Sequence, residues 1–137
     1  MRSTAVATWL RLARVFQKID HASVEELRAR DLSVAQFDVL AHVGAAEGIT
    51  QQELADSLLV TKGNVCQLLD RMEHSGLLER RQEGRVNHLF LTERGHQLFA
   101  ETVPCHEAQI ARQFEALTPR EQAQLLTLLR KLDRSLR

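Results

Sequence analysis

Between Thr50 and Gly95 the hydrophobic period of this chain changes, and that change constrains the fold more than any other feature. Thr50 and Glu53 stand three residues apart, the spacing of a capping box that opens a helix. Ile49, Leu54, Ala55 and Leu58 then form an apolar stripe. A second helix opens near Thr61, a good N-cap residue. Its Val65, Leu68, Leu69 and Met72 recur at three and four residues and so share one face. Gly76 ends it by accepting a positive φ. Beyond Gly76 the spacing is strand-like. Leu77–Arg81 and His88–Leu91 are short β-prone runs, and the polar stretch Gln82–Asn87 between them, with Gly84 as its turn residue, predicts a hairpin tip. Thr92 caps a further helix.

Two short helices followed by a hairpin make a winged helix-turn-helix, and the second helix has an unusual outer face. Gly63, Cys66, Gln67 and Asp70 point away from the Val65/Leu69/Met72 stripe, with Asn64 and Arg71 beside them. Glycine inside a helix costs about 1 kcal/mol against alanine; near an exposed N-terminus it permits close approach of another molecule's backbone. Amides such as Asn64 and Gln67 can read base edges in a major groove. Backbone N–H groups at the helix start can hold a phosphate. Thr61, Lys62, Gly63, Asn64, Cys66, Gln67, Arg71, Arg81 and Arg85 are therefore the candidate contacts to double-stranded DNA.

The run VTKGNVCQLLDRMEHSGLLERR, followed by EGRVNHLFLTERG, resembles the MarR family of bacterial transcriptional regulators. That family's wing usually reads Asp-x-Arg ahead of a Leu-Thr-x-x-Gly helix start. Glu83-Gly84-Arg85 and Leu91-Thr92-Glu93-Arg94-Gly95 occupy those places here. Glu83 keeps the charge of the usual aspartate on a longer arm, and Cys66 stands where the family more often has Thr or Ser. The motif covers about a third of the chain; the flanking helices match in length and order. The resemblance implies a ligand-responsive repressor that binds a palindromic operator as a homodimer. In the family, ligands enter a crevice between the dimerisation helices and the DNA-binding lobe. Trp9, Arg14 and Lys18 of the first helix and Phe37 and His42 of the second are the candidate liners here. The basic pair suits a small anionic aromatic effector; a solvated helix face is the competing reading.

Composition bounds the partners. The 137 residues suit one domain. The resemblance divides it into a lobe over 32–95 and dimerisation helices over 1–31 and 96–137. The fold expected is mainly α with a small β-hairpin wing. Eighteen Lys and Arg balance eighteen Asp and Glu, so the case for DNA rests on which face carries each charge. Such a balance predicts modest non-specific affinity at physiological salt. Two cysteines without a CxxC motif form no disulfide framework. No stretch has the length and apolarity of a membrane span, and the reading is cytoplasmic.

From Ala5 to Ala29 the pattern is one long helix, with Val6, Trp9, Leu10, Ala13, Phe16, Ile19 and Leu27 at helical spacing. That stripe is too long for a small domain to bury, so part of it is expected to meet another subunit. Ser33 and Gln36 write a second capping box, ahead of Phe37, Leu40, Ala41 and Val43. Gly44 and Gly48 are expected to mark its end and the turn into the helix-turn-helix. A fifth helix runs from Glu93, with a kink or break expected near Ala100 to Pro104, where proline removes a hydrogen bond. Thr118, Pro119 and Glu121 start the last helix. Its leucine face is expected to pack on the first helix of a two-fold partner.

Several residues admit two readings. Arg85 can enter a minor groove or pair with Glu83. Arg80 and Arg81 point to opposite faces of their strand, so only one can face DNA; the other is a surface charge or a partner of Asp70. Cys66 fits a small side chain at the protein–DNA boundary; its alternative is a thiol activated near a helix N-terminus. The peroxide-sensing branch of the family carries its reactive cysteine near the start of the first helix, where this chain has none. Cys105 reads as helix packing. His21, His42, His74, His88, His96 and His106 show no HxxxH spacing, no catalytic constellation is apparent, and no cofactor is expected. The rival classes are a winged-helix module that binds protein, and a constitutive or redox-gated DNA binder.

Overall fold

The computed structural model describes residues 1–58 and 64–136. In order the elements are α1 (Thr4–Arg28), α2 (Val34–Ala45), α3 (Gln51–Ser57), α4 (Val65–His74), β1 (Leu78–Glu83), β2 (Val86–Leu91), α5 (Glu93–Gln113) and α6 (Pro119–Ser135). They form two compact units, Met1–His106 and Glu107–Arg137. The expected class, mainly α with a small β-hairpin wing, is what the chain adopts.

The helix starts follow from local chemistry. At Ser33/Gln36, Thr50/Glu53 and Thr118/Glu121 both halves of a capping box are made, satisfying donors that a helix N-terminus otherwise leaves orphaned. The start of α4 expected near Thr61 lies outside the described residues; the described helix has Asn64 at its N-cap.

The first unit has two apolar clusters. The larger joins Val39, Leu40 and Val43 of α2, Leu54 and Leu58 of α3, Val65, Leu69 and Met72 of α4, and Leu77, Leu78, Leu89 and Leu91 at the hairpin. The stripes read from the sequence thus converge on one centre, and burying them fixes the angle between the two short helices. The smaller cluster gathers Leu27, Leu32, Phe37 and Val103. His106 is buried beside it, with its ring 4.3 Å from that of Phe37 and Nδ1 3.6 Å from Glu26.

α2 ends at Ala45, one residue past Gly44, and Gly48 takes a φ of 91° in the turn beyond it, as the two glycines led one to expect. A Cβ on Gly44 would lie 2.3 Å from the ring of Phe99, so its absence also lets α5 pack close. Two expectations need correction. Pro104 does not break α5, which runs unbroken through it. Ala100 and Pro104 are both exposed, so water can satisfy the carbonyl that the missing N–H leaves free. Cys105 is exposed rather than packed.

In the second unit α6 buries no residue. Leu126, Leu128, Leu129 and Leu132 are all exposed. On α1 in the first unit, Val6, Trp9, Leu10 and Phe16 are exposed likewise.

A candidate nucleic-acid interface

The hairpin is tighter than the sequence suggests. Strand pairing runs from Leu78↔Leu91 to Glu83↔Val86, so the tip is Gly84 and Arg85 alone. Gly84 takes a φ of 62°, as the first central residue of a type II′ turn requires. Polar residues expected in a loop are paired instead, because a strand with a solvent-facing side tolerates them. Residues 48–50 form a short third edge that the sequence does not signal. Gly48 N–H donates to Leu89 O, and Leu89 N–H to Ile49 O. His88 Nδ1 lies 2.9 Å from the Gly48 carbonyl.

The Leu91-Thr92-x-x-Gly95 motif has a mechanical explanation. Thr92 Oγ1 donates to Gly76 O and accepts from Gly95 N–H, which locks the end of α4 to the start of α5. A Cβ on Gly95 would fall 2.0 Å from Leu77 O. Only glycine allows that approach.

The two strand arginines separate as strand alternation requires. Arg80, only 18% exposed, pairs with Asp70 and reaches 3.6 Å from Glu73. Asp70 thus ties α4 to the wing, the structural reading of that residue. Arg81 lies on the opposite face, paired with Glu79 and stacked 4.0 Å over Phe90. At the start of α3 the Glu53 carboxyl is held below its ordinary pKa. Its bond from the Thr50 backbone N–H is the main cause, followed by Thr50's side chain; partial desolvation opposes them, and His88 adds a small lowering.

A groove of about 740 Å³ runs between the start of α3, the start of α4 and the wing. Asn64, Cys66, Gln67 and Arg85, all expected contacts, line it together. Thr50, Gln51, Gln52 and Asn87 line it too; the consecutive amides Gln51-Gln52 at a helix start were the available signal for these. The Cys66 thiol is exposed and accepts a bond from Gln51 Nε2 at 3.1 Å. Arg85 is exposed at the tip, and Glu83 reaches towards His88 (3.7 Å) rather than pairing with it. Arg71 is exposed on the other flank of α4, in a depression shared with Ser33, Gln36 and Asn64. Thr61, Lys62 and Gly63 lie outside the described residues.

The five candidate effector residues do not converge. Phe37 is buried in the smaller cluster. His42 Nδ1 sits 2.8 Å from Asp38 O and 3.2 Å from Asp38 Oδ1, within its own helix. Trp9 is 63% exposed. Arg14 and Lys18 alone share a lining, a shallow depression on α1 with Gln17 and His21. Among the described residues no three His, Cys, Asp or Glu side chains gather as a metal site needs, and no helix is long and apolar enough to cross a membrane.

Comparison with known proteins places this geometry. Residues 30–85 match the model of the MarR family. A helix-turn-helix-type transcriptional regulator of Bacillus cereus, itself uncharacterised, is 33% identical over 137 residues, covering 98% of this chain and 93% of that protein. The chain belongs to the MarR family. This MarR-family regulator superposes on AbsC of Streptomyces coelicolor with a TM-score of 0.88 at 22% identity, covering 98% and 95% of the two chains. It also resembles Streptococcus pneumoniae FabT, solved in complex with DNA (TM-score 0.77, 24% identity, 95% of each chain). It is thus a transcriptional regulator with a DNA-binding winged helix.

Proposed function

We propose that this regulator binds a palindromic operator as a homodimer and represses transcription by occupying it, until a small anionic molecule releases it. The carrying observation is the groove in which Asn64, Cys66, Gln67 and Arg85 meet. In this reading α4 enters the major groove, Asn64 and Gln67 meet base edges, and Arg85 reaches the adjacent minor groove. Arg71 and Arg81 flank the duplex, and Thr61, Lys62 and Gly63 meet the phosphate backbone. FabT, which shares this fold, was solved in complex with DNA, and that supports the assignment.

Two-fold pairing follows from the leucines of α6 and the apolar residues of α1 that this chain leaves uncovered. An isologous interface would cover both and match the symmetry of a palindrome. Of the effector residues, Arg14 and Lys18 are the two that an anion can engage together. We place the effector there, away from Phe37 and His42.

Anisotropy titration of a palindromic duplex enriched from a random pool, with wild type and Arg85→Ala, tests the reading. Arg85→Ala should weaken binding while its melting temperature stays put, since exposed substitutions usually change stability by within about 0.5 kcal/mol. Equal affinity for operator and scrambled duplex in the wild type would sink the proposal.

A further inference from the structure

We infer that the operator half-site read by this groove is built on A·T pairs, with adenine taken by Asn64 and Gln67 and the thymine methyl by Cys66. This rests on the DNA-binding reading above and names what that site selects.

Among the described residues the groove is lined by amides more than by cations. Among its described lining residues the one charged side chain is Arg85, on the hairpin tip and not on α4. Asn64 occupies the N-cap of α4, a position where asparagine is strongly favoured for the bond it makes. Here its side chain makes no cap bond, and it is exposed. Gln67 is exposed one turn on and lines the same groove. A carboxamide offers one acceptor oxygen and a donor NH₂ group. In the major groove adenine presents the complement, the N7 acceptor beside the N6 donor. Guanine presents two acceptors, which call for arginine or lysine.

Cys66 completes the pair. Its sulfur already accepts the Gln51 amide at 3.1 Å, so its polar capacity is turned back onto α3. What it shows to the groove behaves as a small, polarizable apolar surface. Thymine is the one base with a methyl group on its major-groove edge. A small apolar side chain beside two amides therefore suits an A·T pair, whereas against guanine an amide satisfies only its donor half and the methyl contact is lost.

The test is selection from a duplex pool with a randomised core, followed by titration of the enriched site and its variants with the full-length protein. The enriched half-site should carry adenine at the positions that respond to Asn64→Ala and Gln67→Ala. Replacing that adenine by guanine should weaken binding roughly five- to 150-fold, the range of one good bidentate contact. Uracil in place of its thymine should cost about fourfold, the worth of one methyl group, and Cys66→Ser should erase that difference. Gln67→Arg should move the preference at its position to guanine. A G·C-rich half-site, or one whose affinity ignores both amide substitutions, would overturn the inference while leaving DNA binding intact. If no duplex is enriched, the regulator reading falls and this inference with it.

Discussion

Arg80 on β1 and Asp70 on α4 join side chain to side chain across the step from the second helix of the helix-turn-helix to the wing. The pair is unsymmetrical: Arg80 is largely buried, while Asp70 is 65% exposed. Its weight therefore falls on the arginine, which would be left half-desolvated without its partner.

Asp70→Ala should accordingly lower stability by about 1 kcal/mol, because exposed pairs contribute little but an abandoned buried donor costs more. Glu73 remains within 3.6 Å of Arg80 and limits the loss. The more sensitive readout is affinity, since a wing no longer tied to α4 must be ordered when DNA binds. Thermal melting beside operator titration checks this; unchanged affinity would show that the wing's angle is set elsewhere.

Gly95→Ala should be more damaging than Gly44→Ala. At Gly95 the new Cβ meets a backbone carbonyl, Leu77 O, at 2.0 Å, whereas at Gly44 it meets the Phe99 ring at 2.3 Å. A ring can turn; a carbonyl at a helix junction moves only with its chain. Overpacking typically costs about 1–3 kcal/mol, and Gly95→Ala should lie at the upper end. Denaturant midpoints of the two variants would settle the order.

The capping carboxylate of Glu53 gives a pH signature. Its pKa is lowered in the folded state, first by the Thr50 backbone N–H. The linked stability is therefore present above the carboxyl's unfolded pKa and lost as pH falls through the lowered folded value. Glu53→Gln keeps a side-chain acceptor for Thr50 N–H without the titration. Between neutral and acid pH it should lose less stability than wild type. Parallel slopes for the two proteins would contradict the assignment.

Much of this fold is legible in the sequence because it is local. The boxes at Ser33/Gln36, Thr50/Glu53 and Thr118/Glu121 need only four residues to be recognised, and all form. The split between Arg80 and Arg81 follows from strand alternation, and only the choice of partner needs coordinates. The edge at residues 48–50 was not legible. It is three residues long and pairs with β2 about forty positions away, so it leaves no period to read. The packing role of Gly44 was not legible for a similar reason, since it lies in Phe99 on another helix. The surroundings of the candidate effector residues were the least legible. Helical spacing places Phe37 on a face but does not say that Leu27, Leu32 and Val103 cover it.

A dimer prediction follows from the uncovered leucines. Sedimentation at micromolar concentration should give twice the chain mass, and Leu129→Asp with Leu132→Asp should shift it towards the monomer. Loss of operator binding in that variant, with helical content retained, would link pairing to recognition. A wild-type protein that sediments as a monomer would remove the basis for a palindromic site.

The third edge at residues 48–50 also limits how such a protein can be switched. The wing is fastened through Gly48 and Ile49 to Leu89, through Glu47 to Leu91 N–H, and through Arg80 to Asp70. Folding the hairpin away on its own would break all three at once. Release from DNA is therefore expected to proceed by carrying reading head and wing together as a single block, out of step with the pitch of the double helix.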